Sequence, residues 1–202
     1  MQQPAFASSL FDCDDATSLR LATGARFIRK LPDDRSLGYL HKLFSPITSV
    51  DQEKLQSTLG RRLPAQYQEF LQWANGASLF DNGIYLLGFS ENLSRSTEIG
   101  DQAAISITWE NEVFSATKPE RWEGGWTKVG SAVGWDSTFD LQLHQDGSCA
   151  FVGAHGAHVS PSFDECLGRL ISRVGTCFSC DGVIDKSYAE VESALASLIQ
   201  GQ

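Results

Sequence analysis

The chain has 202 residues, enough for one domain with additional segments and for a sizeable buried core. Hydrophobic residues make up 42% and charged residues 20%, which is typical of globular proteins and excludes wholesale disorder. Residues 47–202 carry ten basic and twenty acidic side chains, so nucleic acid is a poor partner and a basic protein partner is favoured, although such acidity also serves solubility alone.

The N-terminal part of the sequence predicts few regular elements. Residues 1–35 are interpreted as an N-terminal extension, which forms either an added edge element of a sheet or a partly ordered arm. Further on, apolar side chains at helical spacing predict a short amphipathic helix. The residues with this spacing are Leu37, Leu40, His41 and Phe44. A second helix is expected behind a capping box formed by Ser49 and Gln52.

The clearest predicted helix begins at Leu63 and Pro64, because proline at the first helical position gives up no hydrogen bond. Its buried face is predicted to consist of Tyr67, Phe70, Leu71 and Ala74. Asn75 and Gly76 end it, since glycine adopts the left-handed conformation at little cost.

The middle of the chain has the shorter period of strands. Residues 84–87 and 128–133 predict strands, whereas 104–108 fit either a strand or a helix end. The side chains that alternate strictly along the next strand are Phe139, Leu141 and Leu143. A turn at Asp146 and Gly147 then predicts a hairpin whose second strand begins near Cys149.

The last third is again helical. A capping box of Ser162 and Glu165 precedes an apolar stripe that Gly175 is predicted to end. The stripe consists of Phe163, Cys166, Leu167, Leu170, Ile171 and Val174. A further helix after Ser187 belongs to a C-terminal helical extension, residues 177–202.

This order of helices, strands and helices predicts an α+β fold. We expect a mostly antiparallel, twisted sheet flanked by N-terminal and C-terminal helices, in a single domain over residues 36–176.

Four of these segments, in this order over residues 48–172, resemble the signature of the SUKH superfamily. The pattern is Leu-Pro, a helix with an aromatic residue and Phe-Leu, then Asn-Gly before a strand, followed by an Asp-Gly turn and a terminal Ser-Phe-x-x-x-Leu helix. The matching residues are Leu63, Pro64, Tyr67, Phe70, Leu71, Asn75, Gly76, Asp146, Gly147, Phe163 and Leu167. The segment from about 91 to 128 is longer than the pattern leads us to expect.

The resemblance implies a role in binding other proteins, and it implies neither catalysis nor a cofactor. The superfamily includes fungal regulators of cell-wall synthesis and bacterial immunity proteins, which neutralise a toxin domain, often a nuclease or a deaminase. An immunity protein in the cytoplasm of a bacterium is therefore the first hypothesis. An intracellular regulatory adaptor with no toxin partner is the alternative. Partner-binding residues differ among members, so none is carried over.

The long middle segment offers the best candidate for a binding surface, because tryptophans dominate binding hot spots and carboxylates steer basic partners. The candidate residues are Trp109, Glu110, Glu112, Glu120, Trp122, Glu123 and Trp126. The alternative is that these tryptophans lie in the core, as we expect for Trp73 and Trp135.

Two pairs of residues raise the question of metal or redox chemistry. His155 and His158 could contribute to a zinc site, but their glycine-rich setting fits a loop better. Cys177 and Cys180 form a Cys-x-x-Cys motif, but it follows a helix instead of beginning one. No nucleophile elbow, phosphate-binding loop or distinctive acid/base pair is found in the sequence. We therefore predict neither an enzyme nor a metal site.

Overall fold

The computed structural model describes residues 4–12, 14, 16–32, 38–91, 103–133, 138–154, 156–178 and 188–199. Within these residues, nine strands form one sheet in which each strand pairs antiparallel with the next along the chain. The strands are β1 (Leu19–Arg20), β2 (Arg26–Lys30), β3 (Tyr39–Leu43), β4 (Ala77–Leu79), β5 (Ile84–Leu86), β6 (Trp126–Val133), β7 (Thr138–His144), β8 (Cys149–Gly153) and β9 (Gly156–Ser160).

Helices precede, interrupt and follow this sheet. They are α1 (Ser8–Phe11) after a single 3₁₀ turn (Ala5–Ala7), α2 (Ser49–Leu59), α3 (Ala65–Trp73), α4 (Ile107–Thr117), α5 (Pro119–Glu123), α6 (Phe163–Gly175) and α7 (Tyr188–Ile199). The predicted α+β class, with an antiparallel sheet between N-terminal and C-terminal helices, is confirmed. None of the helices in the described ranges has the length and apolar character that crossing a membrane would require.

The two faces of the central strands have different character. Leu141 and Leu143 of β7 are fully buried in the apolar core, together with the stripe of α6 and the apolar face of α3. The core is rich in aromatic contacts, such as Tyr67 edge-on to Phe163 with ring centroids 5.2 Å apart. Because side chains alternate along a strand, Asp140 and Gln142 lie on the opposite face, where α4 and α5 pack.

Asn75 and Gly76 connect α3 to the sheet, and hydrogen bonds and close packing define the positions of both residues. The Asn75 amide donates to the Phe89 carbonyl at 2.7 Å, and its oxygen accepts from the Phe89 N–H at 2.6 Å, as a neighbouring strand would. Gly76 has φ +81°, and a Cβ there would lie 2.6 Å from the Leu86 carbonyl oxygen. The position therefore requires glycine for both its conformation and its space.

Tyr67 contributes a polar contact deep in the core. Its hydroxyl lies 2.6 Å from the Leu87 carbonyl oxygen and 2.9 Å from that of Val129. The register of β6 shifts between Lys128 and Gly130, so Val129 is the extra residue of a β-bulge. The Val129 carbonyl also accepts the Leu87 N–H at 2.9 Å, so the single hydroxyl proton supplies a donor chiefly to the Leu87 carbonyl beside the bulge.

The predicted helix over residues 37–44 is wrong. The segment is strand β3, and Tyr39, Leu40, His41 and Leu43 are all buried. Because both faces of this strand are buried, its sequence lacks the alternation of apolar and polar residues that is typical of a half-exposed strand. The spacing of its residues therefore matched that of a helix. Leu37 lies outside the described residues.

Two predicted helix starts are displaced by one residue. The capping box of α2 uses Thr48 and Asp51 in place of Ser49 and Gln52, and the buried Gln52 instead donates to Gln68 at 2.6 Å. Pro64 is the N-cap of α3 and not its first helical residue.

One open assignment and two predicted helix boundaries remain. Ser106 forms a bridge with Gly88 and then caps α4, which settles the open assignment of residues 104–108. Gly175 is the last residue of α6, and Thr176 is its cap. Ser187 lies outside the described residues.

Both predicted extensions contain segments that pack with the rest of the chain. Strands β1 and β2 continue the sheet beyond β3, and Phe6 and Leu10 are buried in the main core. At the other end, α7 buries Val191 and Leu195 in the same core. The domain boundaries themselves, at residues 36 and 176, stay predictions.

Candidate protein-binding surface

The described part of the long middle segment, from residue 103 onwards, contains α4 and α5, and buried side chains of α4 pack against β6. Ile107 and Phe114 are the buried apolar contacts of α4. The buried Asn111 amide donates to the Lys128 carbonyl, and its oxygen accepts from the Lys128 N–H, both at 2.8 Å. Tyr67 and Asn111 together therefore satisfy consecutive backbone groups of the bulge, which fixes α4 relative to the core.

An ion network joins α4, the start of α5 and the strands beneath them. The Lys128 ammonium lies 2.9 Å from Glu110 and 3.1 Å from Asp140, and Lys118 lies 2.8 Å from Asp140. Burial alone would lower the pKa of Lys128, but the two carboxylates outweigh burial and raise it. Burial likewise opposes ionisation of Asp140, but hydrogen bonds and charge from both lysines lower its pKa.

Two arginines hold the end of α5. The Arg61 guanidinium stacks 3.3 Å from the Trp122 ring and donates to the carbonyls of Trp122 and Trp126 at 2.9 and 3.0 Å. Arg121 lies 4.8 Å from the Trp126 ring and donates to Gln142 at 2.5 Å. Both cations are thus engaged within the chain.

A groove of about 400 Å³ lies between α2, α4 and α5. Its lining includes Leu59, Trp109, Asn111, Glu112, Ser115 and Trp122. The Trp109 side chain is 51% exposed, and Val113, one turn further along α4, is also exposed. An indole half in water beside an open groove is a typical feature of binding surfaces.

The structure divides the seven predicted surface residues into three groups. Trp109, Glu112 and Trp122 line the groove. Glu120 and Glu123 are exposed on α5. The other two are engaged within the chain: Glu110 belongs to the Lys128 network, and the half-buried Trp126 packs against His144 with ring centroids 5.0 Å apart.

The alternative, that the tryptophans of this segment lie in the core, does not describe the exposed Trp109, although the partly buried Trp122 does pack against the core. Trp73, predicted separately to be internal, is buried. Trp135 lies outside the described residues. Sequence reasoning missed Leu59, Arg61 and Val113. Val113 follows Trp109 by four residues, a spacing that could have identified it. Leu59 lines the same groove as Trp122, and Arg61 donates to the Trp122 carbonyl across 61 residues of chain. No local pattern signals either proximity.

The basic and acidic side chains of this surface differ in whether they have partners within the chain. Its cations are engaged within the chain: Lys54 with Glu91, Arg61, Lys118, Arg121 and Lys128. In contrast, Glu112, Glu120 and Glu123 are exposed, and the described part of the chain provides no ion pair for them. Among the described residues, three carboxylates thus lack an ion pair near an exposed indole, while Arg61 and Arg121, which contact neutral groups, keep their positive charge.

The described residues do not support metal or redox chemistry at the histidine and cysteine pairs. His158 lies 3.1 Å from the Arg169 guanidinium, and His155 is not among the residues described. Cys177 is buried with a free thiol, and Cys180 is likewise outside the described ranges. Within those ranges, no three histidine, cysteine or acidic side chains are grouped so that they could hold a metal ion.

Comparison with known proteins supplies the family. No curated protein sequence matches the chain. The model of the SMI1 / KNR4 family (SUKH-1), however, matches residues 46–169, which include α2, α3, all of β4 to β9 and the first half of α6. This span covers more than half of the chain and contains every signature residue singled out above. The chain therefore belongs to the SMI1 / KNR4 family (SUKH-1).

Proposed function

We propose that this chain is an immunity protein, a non-enzymatic protein that binds a bacterial toxin domain and blocks its action. The surface formed by α4 and α5 carries the proposal, because it presents Trp109, Glu112, Glu120 and Glu123 while its cations are engaged within the chain. Family membership supports a protein-binding role, since immunity proteins are known in this superfamily.

A toxin that cleaves or deaminates nucleic acid suits this surface chemically. Such a domain must expose lysine and arginine to hold phosphates. An acidic surface complements those cations, speeds the encounter and, once bound, lies where the nucleic acid would bind. The proposed partner is therefore a basic nuclease or deaminase domain, and neither nucleic acid nor a membrane is a proposed partner of this chain.

The proposal places the chain in the bacterial cytoplasm, where incoming toxins act. The free thiols of the described cysteines, Cys149, Cys166 and Cys177, suit a reducing compartment.

The alternative role is a regulatory adaptor that uses the same fold without a toxin. Strands β1 and β2 and helix α7 lie outside the matched family span and add surface for such a role. The experiment below separates the two roles, because an adaptor does not rescue cells from a toxin.

The test uses the protein encoded next to this chain as the candidate toxin. Cells producing that protein should stop growing alone and recover when this chain is produced with it. Calorimetry on the purified pair should give one-to-one binding that weakens as salt rises, because screening reduces the attraction between the charges.

Variants test whether the surface of α4 and α5 is required for the rescue. Trp109→Ala combined with Glu112→Gln should abolish the rescue. Glu69→Gln, which removes an exposed carboxylate of α3 instead, should leave it intact. Rescue by the double variant at normal strength would exclude this surface. Failure of the unaltered chain to bind or to rescue would remove the immunity role and favour the adaptor.

A further inference from the structure

The tryptophans of this chain show a repeated pattern of contact with arginine. Arg26 lies 4.0 Å from the Trp73 ring, Arg61 lies 3.3 Å from Trp122, and Arg121 lies 4.8 Å from Trp126. Each indole thus holds a planar guanidinium over its face, an arrangement stabilised by the negative electrostatic potential of the ring. Of the four tryptophans among the described residues, Trp109 alone has no described arginine over its ring.

Trp109 nevertheless has the surroundings that such a contact needs. Trp109 is half exposed and lines the groove, so part of its indole is accessible from solvent. Glu112 lines the same groove three residues further along α4, where its carboxylate lies on the same side of the helix. No basic side chain of the described chain pairs with Glu112.

The floor of the groove suits the aliphatic part of a long basic side chain. The apolar Leu59 and the aromatic Trp122 both line the groove. The buried Asn111 already uses its amide in hydrogen bonds to Ile107 and Lys128, so it has no unpaired donor to repel a cation. The groove therefore offers an apolar floor, an aromatic face and a carboxylate in one place.

The geometry points to Trp109 and Glu112 as a binding site for one arginine side chain of the partner, stacked on the indole and paired with the carboxylate. This inference rests on the proposed function and specifies which partner residue the groove accepts. Arginine is favoured over lysine because its guanidinium is planar, stacks on aromatic rings and forms two parallel hydrogen bonds with a carboxylate.

The test needs only this chain and two blocked peptides, hexa-arginine and hexa-lysine, which carry equal charge. The ¹⁵N-labelled full chain is titrated with each, and the indole N–H resonance of Trp109 is assigned from the spectrum of Trp109→Phe. Hexa-arginine should shift that resonance to saturation and bind about fivefold more tightly than hexa-lysine.

Variants separate this site from general attraction to acidic side chains. Trp109→Ala and Glu112→Gln should each bring the two peptides to within about twofold of one another, because stacking or pairing is lost. Glu120→Gln should weaken both peptides alike and keep the preference for arginine. Because Trp109 and Glu112 are exposed, thermal unfolding should confirm that all variants fold.

Equal affinity of the two peptides for the unaltered chain, or an unchanged Trp109 resonance, would overturn the inference. That outcome leaves the immunity role standing if the chain still rescues cells from the toxin. A confirmed preference for arginine in a chain that rescues no cells has the opposite meaning, because the site then exists and the immunity role fails.

Discussion

Helices α3 and α4 are both fixed to the same bulge of β6, yet they meet it in different ways. Helix α3 buries Tyr67, Phe70 and Leu71 in the core, and its tyrosine hydroxyl satisfies the bulge carbonyl. Helix α4 holds the bulge through the Asn111 amide and directs Trp109 into solvent. Helix α3 is thus part of the core, whereas α4 is fixed on its inner side and leaves its outer face exposed.

This difference distinguishes residues that contribute to stability from residues that are available for binding. The buried groups around α3 have their polar partners inside the chain, so their substitution should lower the free energy of unfolding. Among the described residues, the exposed Trp109, Glu112 and the glutamates of α5 have no ion pair or stacked arginine, so their substitution should alter binding and leave folding almost unchanged.

Gly76→Ala should have the largest effect. The new Cβ would lie 2.6 Å from the Leu86 carbonyl oxygen and from the Ala104 Cβ, at a backbone φ of +81°. We expect a loss of about 4 kcal/mol in the free energy of unfolding, from overpacking and backbone strain together. Gly147→Ala is the matched control, since its φ is +94° but no atom lies within 4 Å of its Cβ position. Chemical denaturation should show a loss of only about 1 kcal/mol for the control, from strain alone.

The buried His41 should make stability depend on pH. Burial lowers the pKa of His41 from 6.5 to about 4, and its ring accepts the Phe80 N–H. The unfolded chain therefore binds this proton at a higher pH than the folded chain, so stability falls as the pH falls from 6.5 towards 4. The loss should reach up to about 3 kcal/mol at the lower end. His41→Gln, which cannot titrate, should show a shallower pH profile, and an equal slope in both proteins would contradict the assignment.

Tyr67→Phe isolates the hydrogen bonds of α3 to the bulge. Removing the hydroxyl deprives the buried Leu87 carbonyl of its donor, whereas the Val129 carbonyl keeps the Leu87 N–H. The expected loss is about 2 kcal/mol, the cost of buried acceptors that lose a partner. Tyr39→Phe provides the comparison, because no hydrogen bond is found for the Tyr39 hydroxyl among the described residues, and its loss should be below about 0.5 kcal/mol. Equal losses in the two variants would show that the contacts of Tyr67 do not contribute to stability.

Trp109→Ala should have the smallest effect on stability. Because half of the side chain is exposed, we expect a change of no more than about 0.5 kcal/mol in the free energy of unfolding. Trp73→Ala removes a buried indole from the core and should cost about 4 kcal/mol in the same measurement. A large loss for Trp109→Ala would assign that residue to the fold and remove the contrast between α3 and α4.

The sequence predicted best the elements whose signals are local. The apolar faces of α3 and α6 and the hairpin of β7 and β8 follow from spacing and turn residues alone, and all three are present. Strand β3 was predicted as a helix because its burial on both faces depends on chain segments far away in sequence. The starts of α2 and α3 differ by one residue from the prediction, because adjacent residues such as Thr48 and Ser49 can each act as an N-cap.

The candidate surface was only partly predictable for the same reason. Composition identified the acidic, tryptophan-rich segment, but it could not distinguish Trp109, which is exposed, from Trp122, which lies beneath Arg61. Nor could it show that Glu110 pairs with Lys128 while Glu112 has no ion pair among the described residues. These distinctions arise from contacts between α2, α4, α5 and β6, whose partners are distant in sequence.

The most direct test of this account measures stability and binding on the same variants. The unaltered chain and the Trp109→Ala/Glu112→Gln double variant should have free energies of unfolding within about 1 kcal/mol of each other. Their affinities for the toxin domain encoded beside this chain, measured by calorimetry, should differ at least 100-fold, as expected for the loss of a hot spot. Equal affinities would contradict the account, because the surface built by α4 and α5 would then take no part in binding.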